Sequence, residues 1–190
     1  MKKISLLVCT CIFLFASCQT TKPAAEPVKP VEPEIPAPAP EPVPEEKQAQ
    51  ADDEYLRSVN SMDISKDTFA EDKRQIMEII SGLSEIMQNY NYDGWISYID
   101  EESKVYWSNP NNLRKASKLL PVKGLKLNNL NDYFLYVFCP SRKGRSVDEI
   151  RYISKTNVKA VQVQEDTDVI YYYFQKYDGK WLVHLPPLSN

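Results

Sequence analysis

The feature that most limits what this chain can fold into is the spacing of its prolines between Gln19 and Glu54. The run Glu34-Ile35-Pro36-Ala37-Pro38-Ala39-Pro40-Glu41-Pro42 places a proline at nearly every second position. Each one removes an amide donor and fixes φ, so neither helix nor sheet can propagate through it. A disordered, extended polyproline-II spacer is expected there, rising roughly 3.1 Å per residue. Carboxylates outnumber lysines in this stretch, so an anionic bilayer should repel it. All 12 tyrosines lie at or after Tyr55, which confines core-forming material to the remainder. The chain therefore divides into a leader, a linker over 18–54 and one folding domain over 55–190.

The leader begins Met1-Lys2-Lys3, continues with the apolar run Ile4 to Phe15 and ends Ala16-Ser17-Cys18. A basic start, a short apolar segment and small residues before a cut are the parts of a secretory signal peptide. The apolar stretch of about a dozen residues falls short of the roughly 20 that a membrane-spanning helix needs. Phe15-Ala16-Ser17-Cys18 resembles the lipobox of bacterial lipoproteins, with Phe where Leu is usual. The resemblance implies that residues 1–17 are removed and that Cys18 is acylated, palmitate being the typical chain. One acyl chain holds marginally and two or more hold stably, each buried methylene contributing roughly 0.8 kcal/mol. Gln19, rather than Asp, after the cysteine favours an outer over an inner membrane and leaves the leaflet open. Cys9 and Cys11 leave with the signal, so the domain keeps only Cys139 and cannot close an internal disulfide. Cys139, within Phe138-Cys139-Pro140, reads as a small buried hydrophobe.

Within the domain, Phe69, Ile76, Ile79, Ile80, Leu83, Ile86, Met87 and Tyr90 recur at three- and four-residue spacing and predict a helix over 68–89. Thr68-Phe69-Ala70-Glu71 fits a capping box at its start. Shorter helices are expected over 93–99 and 111–120, the second stopped by Pro121. The period then changes to two. Strands are expected over 133–138, 150–154, 158–164, 169–177 and 181–185, the last two joined by an Asp178-Gly179 hairpin turn. Helices followed by strands point to an α+β domain with helices on one face of an antiparallel sheet.

The long first helix, Asp93-Gly94-Trp95 and Lys104-Val105-Tyr106-Trp107-Ser108-Asn109-Pro110 form one half of a pattern. Val169-Ile170-Tyr171-Tyr172-Tyr173-Phe174 and Asp178-Gly179-Lys180-Trp181-Leu182-Val183-His184 form the other. Together they resemble the NTF2-like superfamily, including its SnoaL-like branch, over about Thr68 to Leu185. The resemblance implies a curved sheet wrapped around helices as a cone with an internal pocket, and pairing through the sheets as a homodimer. Its enzymatic members, similar to ketosteroid isomerase, imply Asp93 or Asp100 as a base with Tyr98, Tyr172 or His184 as donor. The residues themselves select none of these, because Asp93 also reads as a helix start and Asp100-Glu101-Glu102 as a solvated turn. Trp107, Tyr172, Trp181 and His184 are the candidate pocket lining.

No Gly-rich phosphate loop, EF-hand or Ser/His/Asp pattern is present, and two Cys or His residues in the domain are too few for a structural zinc site. No cofactor, metal or catalytic residue is expected. The formal net charge of −3 does not mark a nucleic-acid binder. Its distribution is uneven: Lys104 to Arg145 holds nine cations and one acid, whereas Asp63 to Ser103 holds ten carboxylates and three cations. Arg114, Lys115, Lys118, Arg142, Lys143 and Arg145 are the candidate contacts to an anionic partner. The expected role is a lipid-anchored, non-enzymatic binding module for an envelope protein or anionic envelope component. A small apolar ligand or an isomerase- or dehydratase-type reaction in the cone is the alternative.

Overall fold

The computed structural model describes residues 45–165 and 167–189. The signal peptide, Cys18 and the proline run up to Pro44 lie outside the described residues. Among the described residues, six helices precede one sheet. They are α1 (Glu45–Val59), α2 (Lys66–Gln88), α3 (Tyr92–Ile96), α4 (Glu101–Ser108), α5 (Pro110–Leu119) and α6. Helix α6 is built of Leu130–Tyr133, a π-helical turn Phe134–Phe138 and Cys139–Arg142. Strands β1 (Glu149–Ser154), β2 (Asn157–Gln162), β3 (Val169–Tyr177) and β4 (Lys180–His184) follow as an antiparallel meander in that order. The class is α+β.

Helix α1 begins inside the segment assigned to the linker. After Pro44 there is no proline until Pro110, and the residues that follow are good helix formers. Its end docks on β1: Arg57 reaches Glu149 at 2.8 Å, and Tyr55 packs edge-on against Phe69 of α2. Helix α2 starts one turn earlier than the capping box suggests. Ser65 is the N-cap and accepts from the Thr68 amide at 3.1 Å, while Glu71 pairs with Arg74. Its buried residues are Phe69, Asp72, Ile76, Leu83 and Met87, one face at helical spacing. Helix α3 is capped by Asn91, whose side chain accepts from the Gly94 amide, so Asp93 is an exposed residue inside the first turn.

The main correction concerns 133–138, expected as a strand and found in α6. Leu130, Tyr133, Phe134, Phe138 and Cys139 are buried while Asn131 and Tyr136 are exposed, a helical period that the aromatic run conceals. Asn129 caps the helix through the Asp132 amide. Pro140 cannot donate to the preceding turn, and the π turn accommodates it: Cys139 N–H bonds to Phe134 O, five residues back. Ser141 Oγ then donates to the carbonyls of Val137 and Phe138 at 2.7 and 3.0 Å.

The four expected strands after 148 form with shifts of one or two residues at their ends. Asp178 and Gly179 have φ of 47° and 79°, the paired positive values a two-residue hairpin requires. One register row places Tyr152, Val158, Phe174 and Val183 side by side on the inner face of all four strands. The segment Tyr98–Asp100 lies parallel to β4 beyond it, with Asp100 N–H to Val183 O at 3.1 Å and Val183 N–H to Tyr98 O at 2.8 Å.

Candidate functional site

The space between helices and sheet is filled by aromatic side chains. Trp95 stacks on Phe134 with centroids 5.0 Å apart and meets Phe138 edge-on at 5.2 Å. Phe138 continues to Tyr172 and Tyr172 to Phe174, at 6.1 and 6.0 Å. Trp95, Phe134, Phe138 and Phe174 are all essentially inaccessible. Burial pushes the Tyr172 phenol up to about 12, which keeps it protonated across the physiological range.

The four residues expected to line one pocket are therefore dispersed. Tyr172 is in the core. Trp181 is buried and gives its indole N–H to Asp72 at 3.0 Å. Trp107 stacks near Tyr133 at 4.3 Å and donates to Leu185 O. His184 faces Asp100, its Nδ1 2.8 Å from Oδ2.

Two carboxylates do point inward. Asp72 of α2 accepts from Tyr152 Oη at 2.7 Å, Lys176 Nζ at 2.7 Å and Trp181 Nε1 at 3.0 Å. Asp100, expected in a solvated turn, is fully buried and caps α4 through the Ser103 amide at 2.6 Å. Ser103 Oγ lies 3.5 Å from His184 Nδ1 and accepts from Leu185 N–H at 2.7 Å. Serine, histidine and aspartate thus meet, but both oxygens approach the same ring nitrogen. A nucleophilic relay needs serine and carboxylate on opposite nitrogens. Here the serine is itself buried and engaged by backbone. Neither carboxylate lines the cleft of about 430 Å³ beside Trp181, nor the apolar cleft of about 310 Å³ beside Trp107 and Tyr133. Among the described residues, no group of three or more His, Cys, Asp or Glu is placed to hold a metal ion.

A further groove, of about 560 Å³, runs along α5. Asn109 caps this helix and Pro110 opens it, where a missing N–H costs nothing. Pro121 follows its end, and residues 124–128 return beside it. Ser117 pins the two together: its hydroxyl donates to Leu113 O at 2.8 Å and accepts from Leu127 N–H at 2.9 Å. Farther on, Asp132 accepts from Asn128 N–H at 2.8 Å, closing the turn into α6. The floor and walls are Pro110, Leu125, Leu127 and the side chains of Ser117 and Asn128, and the cations are Arg114, Lys118 and Lys126. Among the described residues, no carboxylate lines it. None of the three cations forms an ion pair among the described residues. The volume is in the range of small-ligand sites, and the mixed lining suits an anion with an apolar portion.

Of the six cations singled out by sequence, Arg114 and Lys118 line this groove, and Lys115 is exposed on the same helix. Arg142, Lys143 and Arg145 do not line it. Arg142 is structural: its guanidinium lies 4.2 Å from the Phe138 ring and 5.4 Å from that of Tyr172, and its Nε donates to Tyr171 O at 2.7 Å. Burial holds its pKa below the ordinary arginine value. Lys143 sits over the Tyr90 ring at 4.5 Å. Lys126, Leu125 and Leu127 are not among the candidate residues read from the sequence, because 121–131 matches no part of the NTF2-like pattern. The Leu-Lys-Leu alternation after Gly124 was the available signal.

An α+β domain with a cationic groove on its helical side is the class that fold and site define. Over 118 residues the chain is 29% identical to a protein of Treponema pallidum (strain Nichols) named as an uncharacterized lipoprotein. The match takes in 62% of this chain and 63% of that relative, so the chain spans just under two thirds of the relative's length. The likeness supports a lipoprotein and names no ligand. No family model matches the sequence, and no solved structure matches it.

Proposed function

We propose that the protein is an envelope lipoprotein, anchored through acylated Cys18, whose domain binds an anionic envelope component in the α5 groove and catalyses no reaction. The observation that carries the binding role is a groove of about 560 Å³ holding Arg114, Lys118 and Lys126 with no carboxylate in its lining among the described residues. Three like charges facing one space raise each other's energy until an anion neutralises them. The anchor rests on the lipobox-like Phe15-Ala16-Ser17-Cys18 and on the lipoprotein relative. Gln19 after the cysteine favours the outer membrane.

We read the domain as a distant NTF2-like member with a filled cone. The long α2, the short helix at Asp93-Gly94-Trp95 and the closing Asp178-Gly179-Lys180-Trp181 hairpin support that reading, while the helical 133–138 departs from it. A second reading, a small apolar ligand, is favoured by the cleft of about 310 Å³ lined by Trp107, Leu120, Tyr133, Val137, Pro186 and Leu188 among others.

The test is a titration of the acylated chain, held in neutral phosphatidylcholine nanodiscs, with octyl phosphate. The Lys118→Glu/Lys126→Glu variant should bind at least about tenfold more weakly, the scale of losing 1.4 kcal/mol, and added salt should weaken the wild type. Equal affinity of the two proteins would refute the groove.

A further inference from the structure

The groove has a neighbour that the binding of a small anion does not use. Leu119, the last residue of α5, is 72% exposed, and Val122, three residues on, is 60% exposed. Single exposed apolar side chains are ordinary on protein surfaces. These two stand at the corner where α5 ends and the chain turns back. Lys115, Lys118, Lys123 and Lys126 belong to the same helix end and returning segment, and no acidic residue occurs from Ser103 to Asn131. Leu119 also borders the apolar cleft beside Trp107, so the corner extends from bare hydrocarbon into the cationic groove on the other side of the helix.

From this juxtaposition we infer that the α5 corner is a membrane-docking surface, inserting Leu119 and Val122 among the acyl chains of an anionic bilayer while the surrounding lysines meet its phosphates. The inference rests on the reading of the groove as an anion site and commits that anion to a phospholipid headgroup. Charge complementarity and the wedge together select the occupant. A wall polymer presents phosphate but nothing apolar to receive two hydrocarbon side chains. A bilayer offers both at the depth such residues reach: apolar side chains sit at the headgroup boundary and basic ones just above it. The lipid anchor makes the encounter intramolecular in effect, since the 26 residues from Gln19 to Pro44 span at most ~90 Å. A domain so tethered meets the membrane at high effective concentration, and a weak second contact suffices to hold it down. The same bilayer repels the acidic linker, so the approach falls to cationic surface on the domain, and the α5 corner is where such surface adjoins exposed hydrocarbon.

The chain offers a direct probe. Cys139 is buried, and burial pushes its thiol up to about 11, so it reacts slowly at neutral pH. With Cys18 acylated, a Leu119→Cys or Val122→Cys substitution supplies the one reactive thiol for an environment-sensitive dye. The labelled, acylated full-length protein is placed in vesicles of phosphatidylcholine alone or with phosphatidylglycerol added, the anchor holding it to both. The expected result is a blue shift and a several-fold rise in emission at either position with phosphatidylglycerol present, reversed by high salt. A Ser81→Cys label on the exposed face of α2 should show neither. Labels at 119 and 122 that remain equally water-exposed in both vesicles overturn the proposal. If octyl phosphate binding still depends on Lys118 and Lys126, the groove survives that result and only the membrane assignment falls. Loss of both removes the groove reading as well.

Discussion

Asp72 joins one helix to three strands, because its donors come from β1 (Tyr152), β3 (Lys176) and β4 (Trp181). Removing a buried acceptor leaves its donors unsatisfied, which costs more than the bonds contributed while intact. Lys176 is partly exposed and can turn to water, whereas Tyr152 and Trp181 are closed in. Asp72→Ala is therefore expected to lower unfolding stability by about 3 kcal/mol. Asp72→Asn, which keeps an acceptor, should lose roughly half as much by the same reasoning. Urea titration of both variants checks this, and similar losses would mean that the charge matters more than the hydrogen bonds. Nothing in the sequence separates Asp72 from its neighbours Glu71 and Lys73 except its place on the apolar face of α2. Asp100 is a parallel case. Its acidic neighbours Glu101 and Glu102 made it look solvated, but they are the exposed first turn of a helix that Asp100 caps.

At the scale of elements, boundaries were legible wherever periodicity and turn chemistry agreed. The Asp178-Gly179 turn and the strands on either side of it are placed by two local signals that reinforce each other. The capping box puts the start of α2 one turn late because Ser65 and Thr68 are both competent caps, and sequence alone does not say which hydroxyl meets a free amide. The structure gives that role to Ser65. Ser65→Ala should cost about 1 kcal/mol and Thr68→Ala less than about 0.5 kcal/mol, read from thermal unfolding of each variant. The reverse order would restore the capping box. The run at 133–138 reads as a strand for a different reason. Tyr, Phe, Leu and Val favour strands by fitting a half-buried pleated surface, a preference that context overrides. Context here is Asn129 capping the helix and a π turn that lets it pass Pro140. The groove depended on the same missing knowledge, since residues 121–129 acquire their place only when α5 and α6 are both helices for them to bridge.

For the molecule as a whole, the aromatic core sets how stability responds to alkali. Burial raises the Cys139 thiol from 9.0 to about 11 and the Tyr172 phenol from 10.0 to about 12, and it moves Tyr133 and Tyr152 in the same direction. In the unfolded chain these groups release protons near their ordinary values while the folded chain retains them. Their contribution is therefore intact below about pH 9 and declines as pH rises from there toward 12. A loss of roughly 2 kcal/mol between pH 9 and 11 is expected in denaturant titrations. Tyrosinate absorbance from the buried rings should appear together with unfolding. Stability that stays flat over that interval would contradict so closed a core. The charge segregation visible in the sequence became a surface only in part: Arg114 and Lys118 joined Lys126 around one groove, while Arg142 was drawn into the aromatic interior. On the proposed reading, a closed interior and an open cationic groove place binding along α5. Hydrogen exchange of the full-length acylated chain, with and without octyl phosphate, tests that location most directly. The account predicts slowed exchange across 110–128 and no change in β3 and β4. Protection centred on Tyr172, Trp181 and His184, with 110–128 unaffected, would contradict it and move the site back between helices and sheet.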